Sequence, residues 1–239
     1  VQLLRERLEA IRPNVLFIGS MTLSFPGAIR IAQTAKRMLG DEVLVVLGGK
    51  HVNETFYMAG NIPIQHKASP LKLMRDGKID NVFDLVVSGD GEYVSLRIAE
   101  VVDVLLKEGL RPNSILTRID EISSASGTWC LGWIDGSNEI KTMIGSKPID
   151  RDQLPIPAEV FGVDSRFPIF GTDYTAHVYS DSGRGCVRDC SFCSERRSVA
   201  GSIEQSSTSA DRLFRQLCAA KQIGENNGCS MSAFVEDSI

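Results

Sequence analysis

The chain has 239 residues, of which 43 % are hydrophobic and 23 % charged, and a formal net charge of -4. That length admits one or two domains, and this apolar content can bury a core, which excludes a disordered chain. With 26 Lys and Arg against 30 Asp and Glu, no basic tail or patch points to nucleic acid. No apolar run approaches the roughly 20 residues of a membrane span, and no signal-peptide pattern opens the sequence. No nucleic acid, no membrane and a cytoplasmic location are therefore expected.

Leu3, Leu4, Leu8 and Ile11 recur on one helical face, and Pro13 ends that helix. Val15–Ile18 is a short apolar run bounded by Asn14 and Gly19, as expected of a buried strand. After a polar loop, Ala28, Ile31, Ala32, Ala35, Met38 and Leu39 give a helix over 27–39. Val43–Leu47 is a second buried strand, closed by Gly48-Gly49. Between 50 and 81 the signals are weaker: a short strand at Ile62–Gln65 and a helix over 69–75. Leu85–Ser88 is a third strand, and Val94, Ile98, Val101, Val102 and Leu105 mark a long amphipathic helix. Strands that are continuous apolar runs, alternating with helices, imply an α/β fold with a parallel sheet covered on both faces. Ligands of such sheets bind outside the carboxyl ends of the strands, and Ser20–Thr22, Gly48–His51 and Gly89–Glu92 all sit at such ends.

The pattern then changes. Thr128–Ile134 and Glu139–Ile144, joined by Asp135-Gly136-Ser137-Asn138, read as a β-hairpin. The stretch 146–171 contains Pro148, Pro155, Pro157 and Pro168 and little periodicity, which suits a linker. Val178–Ser180 reads as a strand. Leu213, Phe214, Leu217 and Cys218 share a face of a helix over 210–223, and Ala233–Val235 is a last strand.

Six cysteines are present, and three of them crowd into Cys186-Val187-Arg188-Asp189-Cys190-Ser191-Phe192-Cys193. Three thiolates so close on one loop can converge on a soft metal centre. Structural zinc wants a fourth ligand and commonly two CxxC pairs, and no second pair exists here. Three ligands without a fourth fit an iron–sulfur cluster with one iron left open to a small molecule. A zinc loop or buried free thiols remain the alternatives from spacing alone. Cys130, Cys218 and Cys229 read as packed thiols. His66 and His177 have no motif around them, and His51 reads as a surface or core residue rather than a crevice ligand.

The CxxxCxxC spacing, the aromatic Phe192 before the last Cys and Arg184-Gly185 before the first resemble the radical S-adenosylmethionine (SAM) superfamily. The resemblance implies that the loop follows the first strand of a partial (β/α) barrel. It implies that Cys186, Cys190 and Cys193 hold a four-iron four-sulfur cluster whose open iron chelates SAM. SAM is then cleaved reductively to a 5'-deoxyadenosyl radical that abstracts hydrogen from a small-molecule substrate, with an electron donor such as flavodoxin or ferredoxin. Phe192 would pack near the adenine, and Glu236 or Asp237, after the second strand, would accept a hydrogen bond from the SAM amino group.

The N-terminal half resembles the later part of a cobalamin-binding Rossmann-like domain, on Gly19-Ser20-Met21-Thr22, the helix that follows, and Gly48-Gly49. Asp84-Leu85-Val86-Val87-Ser88-Gly89-Asp90-Gly91-Glu92 resembles a turn of proteins that join this domain to a radical SAM domain. That places Ser20, Thr22, Gly48 and Gly49 along a cobalamin crevice. The Asp-x-His-x-x-Gly motif of some cobalamin proteins is absent, and a cobalamin-free member with a vestigial first domain is equally compatible. A methylthiotransferase is not expected, because that family carries three cluster cysteines in its N-terminal domain and no cysteine precedes Cys130 here.

The expected organisation is therefore a Rossmann-like cobalamin-type domain over 1–112, a hairpin and linker over 113–172, and the first βαβ unit of a radical SAM barrel over 173–239. Both outer domains are expected to be incomplete, so that the chain is a piece of a longer protein, inactive alone. The expected activity is radical SAM chemistry, with cobalamin-dependent methyl transfer as one outcome. Against it stand a cobalamin-free oxidoreductase or cyclase and a non-catalytic, zinc-stabilised binding module.

Overall fold

The computed structural model describes residues 2–147, 149–162, 164, 175–181, 183–184, 206–228 and 230–236. The described residues fall into two compact units, up to 147 in the first and from 149 in the second.

The first unit runs α1 (Gln2–Ile11), β1 (Val15–Gly19), α2 (Phe25–Leu39), β2 (Leu44–Gly48), α3 (Lys50–Thr55), β3 (Phe56–Ala59), β4 (Ile62–Gln65), α4 (Pro70–Arg75), β5 (Leu85–Gly89), α5 (Glu92–Lys107), a kinked 3-10 segment (Pro112–Ser124), β6 (Gly127–Ile134) and β7 (Ile140–Lys147). Its five-stranded sheet has the order β1-β2-β5-β6-β7. β1, β2 and β5 are parallel, while β6 and β7 are antiparallel to their neighbours.

The apolar runs alternate sides, as the pleat requires. Val45, Leu47 and Val86 face Ala28, Ala32, Ala35 and Leu39 of α2 and Leu8 of α1. Leu44, Val46, Leu85 and Val87 face Val94, Ile98, Val101, Val102 and Leu105 of α5, with Ile115, Ile122 and Trp129 beside them. Because both faces are covered, β2 is buried along its first four residues, and each such side chain contributes about 1.5–3 kcal/mol of transfer free energy. Ala32 and Ala35, with no exposed surface, let α2 lie close on the strands. A half-buried ion pair ties the start of the sheet to α2: Lys36 Nζ donates to Asp84 at 2.6 Å and to the Val43 carbonyl at 3.0 Å, and Asp84 Oδ2 accepts from the Val45 N–H at 2.6 Å.

Two expectations are corrected here. The sheet is mixed rather than purely parallel, because the hairpin does not belong with the linker: β6 pairs antiparallel with β5, Val86 opposite Gly132 and Gly89 opposite Trp129. The hairpin turn itself forms as its residues dictate, with Asp135 Oδ1 accepting from the Ser137 and Glu139 N–H groups at 2.9 Å and Asn138 at φ 60°. On α1 the apolar stripe is only partly used. Leu8 is buried, but Leu3 and Ile11 are exposed.

The second unit contains a 3-10 turn (Arg151–Gln153), α6 (Pro157–Phe161), β8 (Thr175–Asp181), β9 (Gly183–Arg184), β10 (Ser206–Ser207), α7 (Ala210–Asn226) and β11 (Ser230–Glu236). β8 and β11 pair in parallel, from Thr175 opposite Ser230 to Asp181 opposite Glu236, with α7 between them in sequence. The proline-rich stretch is fixed to α7. Ser209 caps the helix through Arg212 N–H at 3.1 Å, its own N–H donates to Asp152 at 2.9 Å, and Arg215 pairs with Glu159 at 3.1 Å. The expected apolar face of this helix is corrected as well. Phe214 and Cys218 are exposed, while Arg212 is buried. The guanidinium can be buried because it donates to the Leu154 and Pro155 carbonyls, which offsets its desolvation.

Candidate functional site

In the second unit, parallel pairing brings the carboxyl ends of β8 and β11 to the same level, with Asp181 and Glu236 as register partners. β9 follows β8 almost at once and pairs antiparallel with β10, Arg184 opposite Ser206 and Gly183 opposite Ser207. The two ends of the segment carrying the CxxxCxxC motif therefore lie side by side. Cys186, Cys190, Cys193, Phe192 and Asp237 themselves lie outside the described residues, as does Cys229. Glu236 is the last residue of β11. Among the described residues, no group of three or more His, Cys, Asp or Glu comes together to hold a metal ion.

In the first unit, the carboxyl ends of β1, β2 and β5 form a crest. Ser20, Thr22, Gly48 and Gly49 are brought together there, Ser20 against the two glycines and Thr22 against α3. The Ser20 N–H donates to the Gly48 carbonyl at 3.0 Å, and the His51 N–H donates to the Ser20 carbonyl at 2.8 Å. Gly49 has φ 90°, and a Cβ placed on it would lie 2.6 Å from Ser20 N and 2.9 Å from Ser20 O. The glycine is thus required for the approach of two backbones of the chain itself. Gly48 is under no such demand, since its Cβ would meet only the Val87 carbonyl at 3.4 Å. The Ser20 hydroxyl donates to the Met21 carbonyl at 2.9 Å, and the Thr22 hydroxyl donates to Glu54 at 2.9 Å.

Ser20 and Gly49 are thus joined backbone to backbone at the carboxyl edge of the sheet, with Thr22 tied to Glu54 beside them.

The β5 end is held in the same manner. Gly89, at φ 87°, lies so close to the Thr128 carbonyl that no side chain fits, and its N–H donates to Asn53 Oδ1 at 3.0 Å. Asp90 Oδ2 accepts from the Thr128 N–H at 3.0 Å. Asn53 on α3 thereby joins the ends of β2 and β5, a role that nothing in the local sequence announces.

Sequence reasoning also missed the group built around His51. The residue is 5 % exposed, and its ring stacks on Phe25 with centroids 4.1 Å apart. Nδ1 lies 3.3 Å from Thr22 Oγ1, and Nε2 is buried. Burial holds the imidazole below the ordinary histidine range, opposed by the Glu54 charge and the Ala68 carbonyl. The i, i+3 spacing of His51 and Glu54 is the signal that places them on one face of α3. The His66 ring meets the Tyr57 hydroxyl at 3.3 Å. Cys130 is buried, as expected, and burial pushes its thiol up to about 12.

No protein-family model, no curated protein and no solved structure matches this chain. Among the described residues, no helix is long and apolar enough to cross a membrane. The fold and site define an α/β protein with a mixed, mostly parallel five-stranded sheet of Rossmann-like character in its first unit.

Proposed function

We propose that this chain carries the cluster-binding unit of a radical SAM enzyme, with Cys186, Cys190 and Cys193 as the ligands of a four-iron four-sulfur cluster. One observation carries the reading: the CxxxCxxC segment follows the carboxyl end of β8 in a parallel β8–α7–β11 unit, the edge at which ligands of α/β folds bind. The donor set fits the group. Three thiolates occupy three irons and leave the fourth open, whereas structural zinc would want a fourth protein ligand. When bound, the cluster supplies the electron for reductive cleavage of SAM. The chain's own residues have simpler tasks. The three cysteines would hold the cluster as thiolates, Phe192 would pack near the adenine, and Glu236 or Asp237 would accept a hydrogen bond from the SAM amino group. An electron donor of the flavodoxin or ferredoxin kind and a small-molecule substrate complete the reaction.

Cobalamin-dependent methyl transfer is one outcome of this chemistry, with Ser20, Thr22, Gly48 and Gly49 at the carboxyl edge of the first unit's sheet, and a cobalamin-free oxidoreductase or cyclase is the alternative.

The test is anaerobic reconstitution with iron and sulfide, followed by metal analysis of the wild type and of Cys186→Ala, Cys190→Ala and Cys193→Ala. The proposal expects about four irons per chain in the wild type and loss of the intact cluster in each variant. One tightly held zinc and no iron would instead make the loop a structural staple of a binding module.

A further inference from the structure

In the second unit, the proline-rich stretch is tied to the helix that carries the base of the cysteine loop. Leu154 and Ile156 each precede a proline, and both are extended, at φ -70° and ψ 137° and at φ -80° and ψ 156°. Extended chain of this kind makes no internal hydrogen bonds, so its carbonyls take donors from elsewhere. Arg212 supplies them. Its guanidinium donates to the Leu154 carbonyl and, at 3.4 Å, to the Pro155 carbonyl, and the residue is 6 % exposed.

The amino end of α7 is held by the same stretch. Ser209 Oγ accepts from the Arg212 N–H at 3.1 Å, and the Ser209 N–H donates to Asp152 Oδ1 at 2.9 Å. A carboxylate is favoured there, at the positive end of a 17-residue helix. Asp152, Ser209, Arg212 and Leu154 therefore close a ring between the proline-rich stretch and α7. Arg215 and Glu159, 3.1 Å apart, join the same segments, but both side chains are about half exposed and water screens the pair.

The ring sits at the base of the cysteine loop. Ser209 stands two residues after β10, in which Ser206 and Ser207 pair with Arg184 and Gly183 of β9. Arg184 in turn stands two residues before Cys186. A ladder of two residue pairs is too short to hold by itself. We infer that Asp152 and Arg212 are positioning residues for the cluster: they fix the amino end of α7 and, through β10, the strand β9 that leads into the first cysteine. This inference rests on the cluster reading of the proposed function. It makes 150–155 a working part of the cluster-binding unit.

The experiment uses the full chain, reconstituted anaerobically with iron and sulfide, at a temperature where circular dichroism shows each variant folded. Iron released to a chelator is followed in time, and the electron paramagnetic resonance spectrum of the reduced cluster is recorded beside it. Arg212→Gln and Asp152→Ala should each take up about four irons, lose them about tenfold faster than the wild type and give an altered spectrum. Asp152→Asn keeps an acceptor for the Ser209 N–H and should restore the wild-type rate and spectrum. Arg215→Gln removes only the exposed pair and should stay within about twofold of the wild type. If Arg212→Gln does not fold, Asp152→Ala and Asp152→Asn decide the matter between them. Iron loss in Asp152→Ala no faster than in Arg215→Gln, an unchanged spectrum, or no rescue by Asp152→Asn would overturn the inference and leave the cluster reading standing. A wild type that takes up no iron would overturn both.

Discussion

Gly49→Ala is the substitution that most sharply separates a glycine needed by the fold from one kept for a ligand. The added methyl would lie 2.6 Å from Ser20 N, 2.9 Å from Ser20 O and 3.2 Å from the Gly19 carbonyl carbon. All three are backbone atoms, so no side-chain rotation relieves the clash. The residue would also be held at φ 90°, which costs a non-glycine residue about 1–3 kcal/mol. Moving Ser20 away breaks two backbone hydrogen bonds, Ser20 N–H to Gly48 and His51 N–H to Ser20, each contributing about 1 kcal/mol. The expected loss is about 3–5 kcal/mol, with no cofactor added. Gly48→Ala is the control, because its methyl meets one carbonyl at 3.4 Å and should cost about 1 kcal/mol or less.

The assay is urea or thermal unfolding followed by tryptophan fluorescence. The chain's 2 tryptophans, Trp129 and Trp133, both lie on β6, so the signal reports the first unit. At about 2–4 °C per kcal/mol, Gly49→Ala should lower Tm by about 10 °C while Gly48→Ala hardly moves it. Equal stability of the two variants would refute the reasoning and return Gly49 to a ligand role.

Other consequences are equally direct. Asp84→Ala leaves the Lys36 ammonium without its carboxylate and the Val45 N–H without its acceptor, with both side chains about one-fifth exposed. A loss of about 2–4 kcal/mol is expected in the same unfolding assay, with Lys36→Met, Asp84→Leu recovering part of it. Burial pushes the Cys130 thiol up to about 12, so at pH 8 only about one molecule in ten thousand carries the thiolate. Brief iodoacetamide treatment of the native chain, read by peptide mass spectrometry, should label the exposed Cys218 and spare Cys130 until urea unfolds the first unit.

The α/β alternation was legible because it is written locally. Leu44–Gly48 and Leu85–Gly89 are apolar runs that only a strand covered on both faces can bury, and α5 carries its buried residues at helical spacing. The antiparallel addition of β6 to β5 was not legible, since it depends on Gly89 approaching the Thr128 backbone, a pairing distant in sequence. Helix α7 misled for a related reason. Its period marks Phe214 and Cys218 as inward, but two backbone carbonyls from the preceding linker make Arg212 the buried residue. At the crest, sequence reasoning picked out Ser20, Thr22, Gly48 and Gly49, and the structure gathers them. It missed that their partners are Glu54, His51 and one another, because a Gly-Gly after a strand has the same local signature whether it admits a ligand or its own backbone.

The central claim is that Cys186, Cys190 and Cys193 hold a cluster with one iron open to SAM. Electron paramagnetic resonance of the reduced, reconstituted chain, recorded with and without SAM, tests it most directly. The account predicts the signal of a reduced four-iron cluster that shifts when SAM is added, and loss of that signal in Cys190→Ala. A colourless zinc protein with no such signal, or a cluster signal indifferent to SAM, would contradict it.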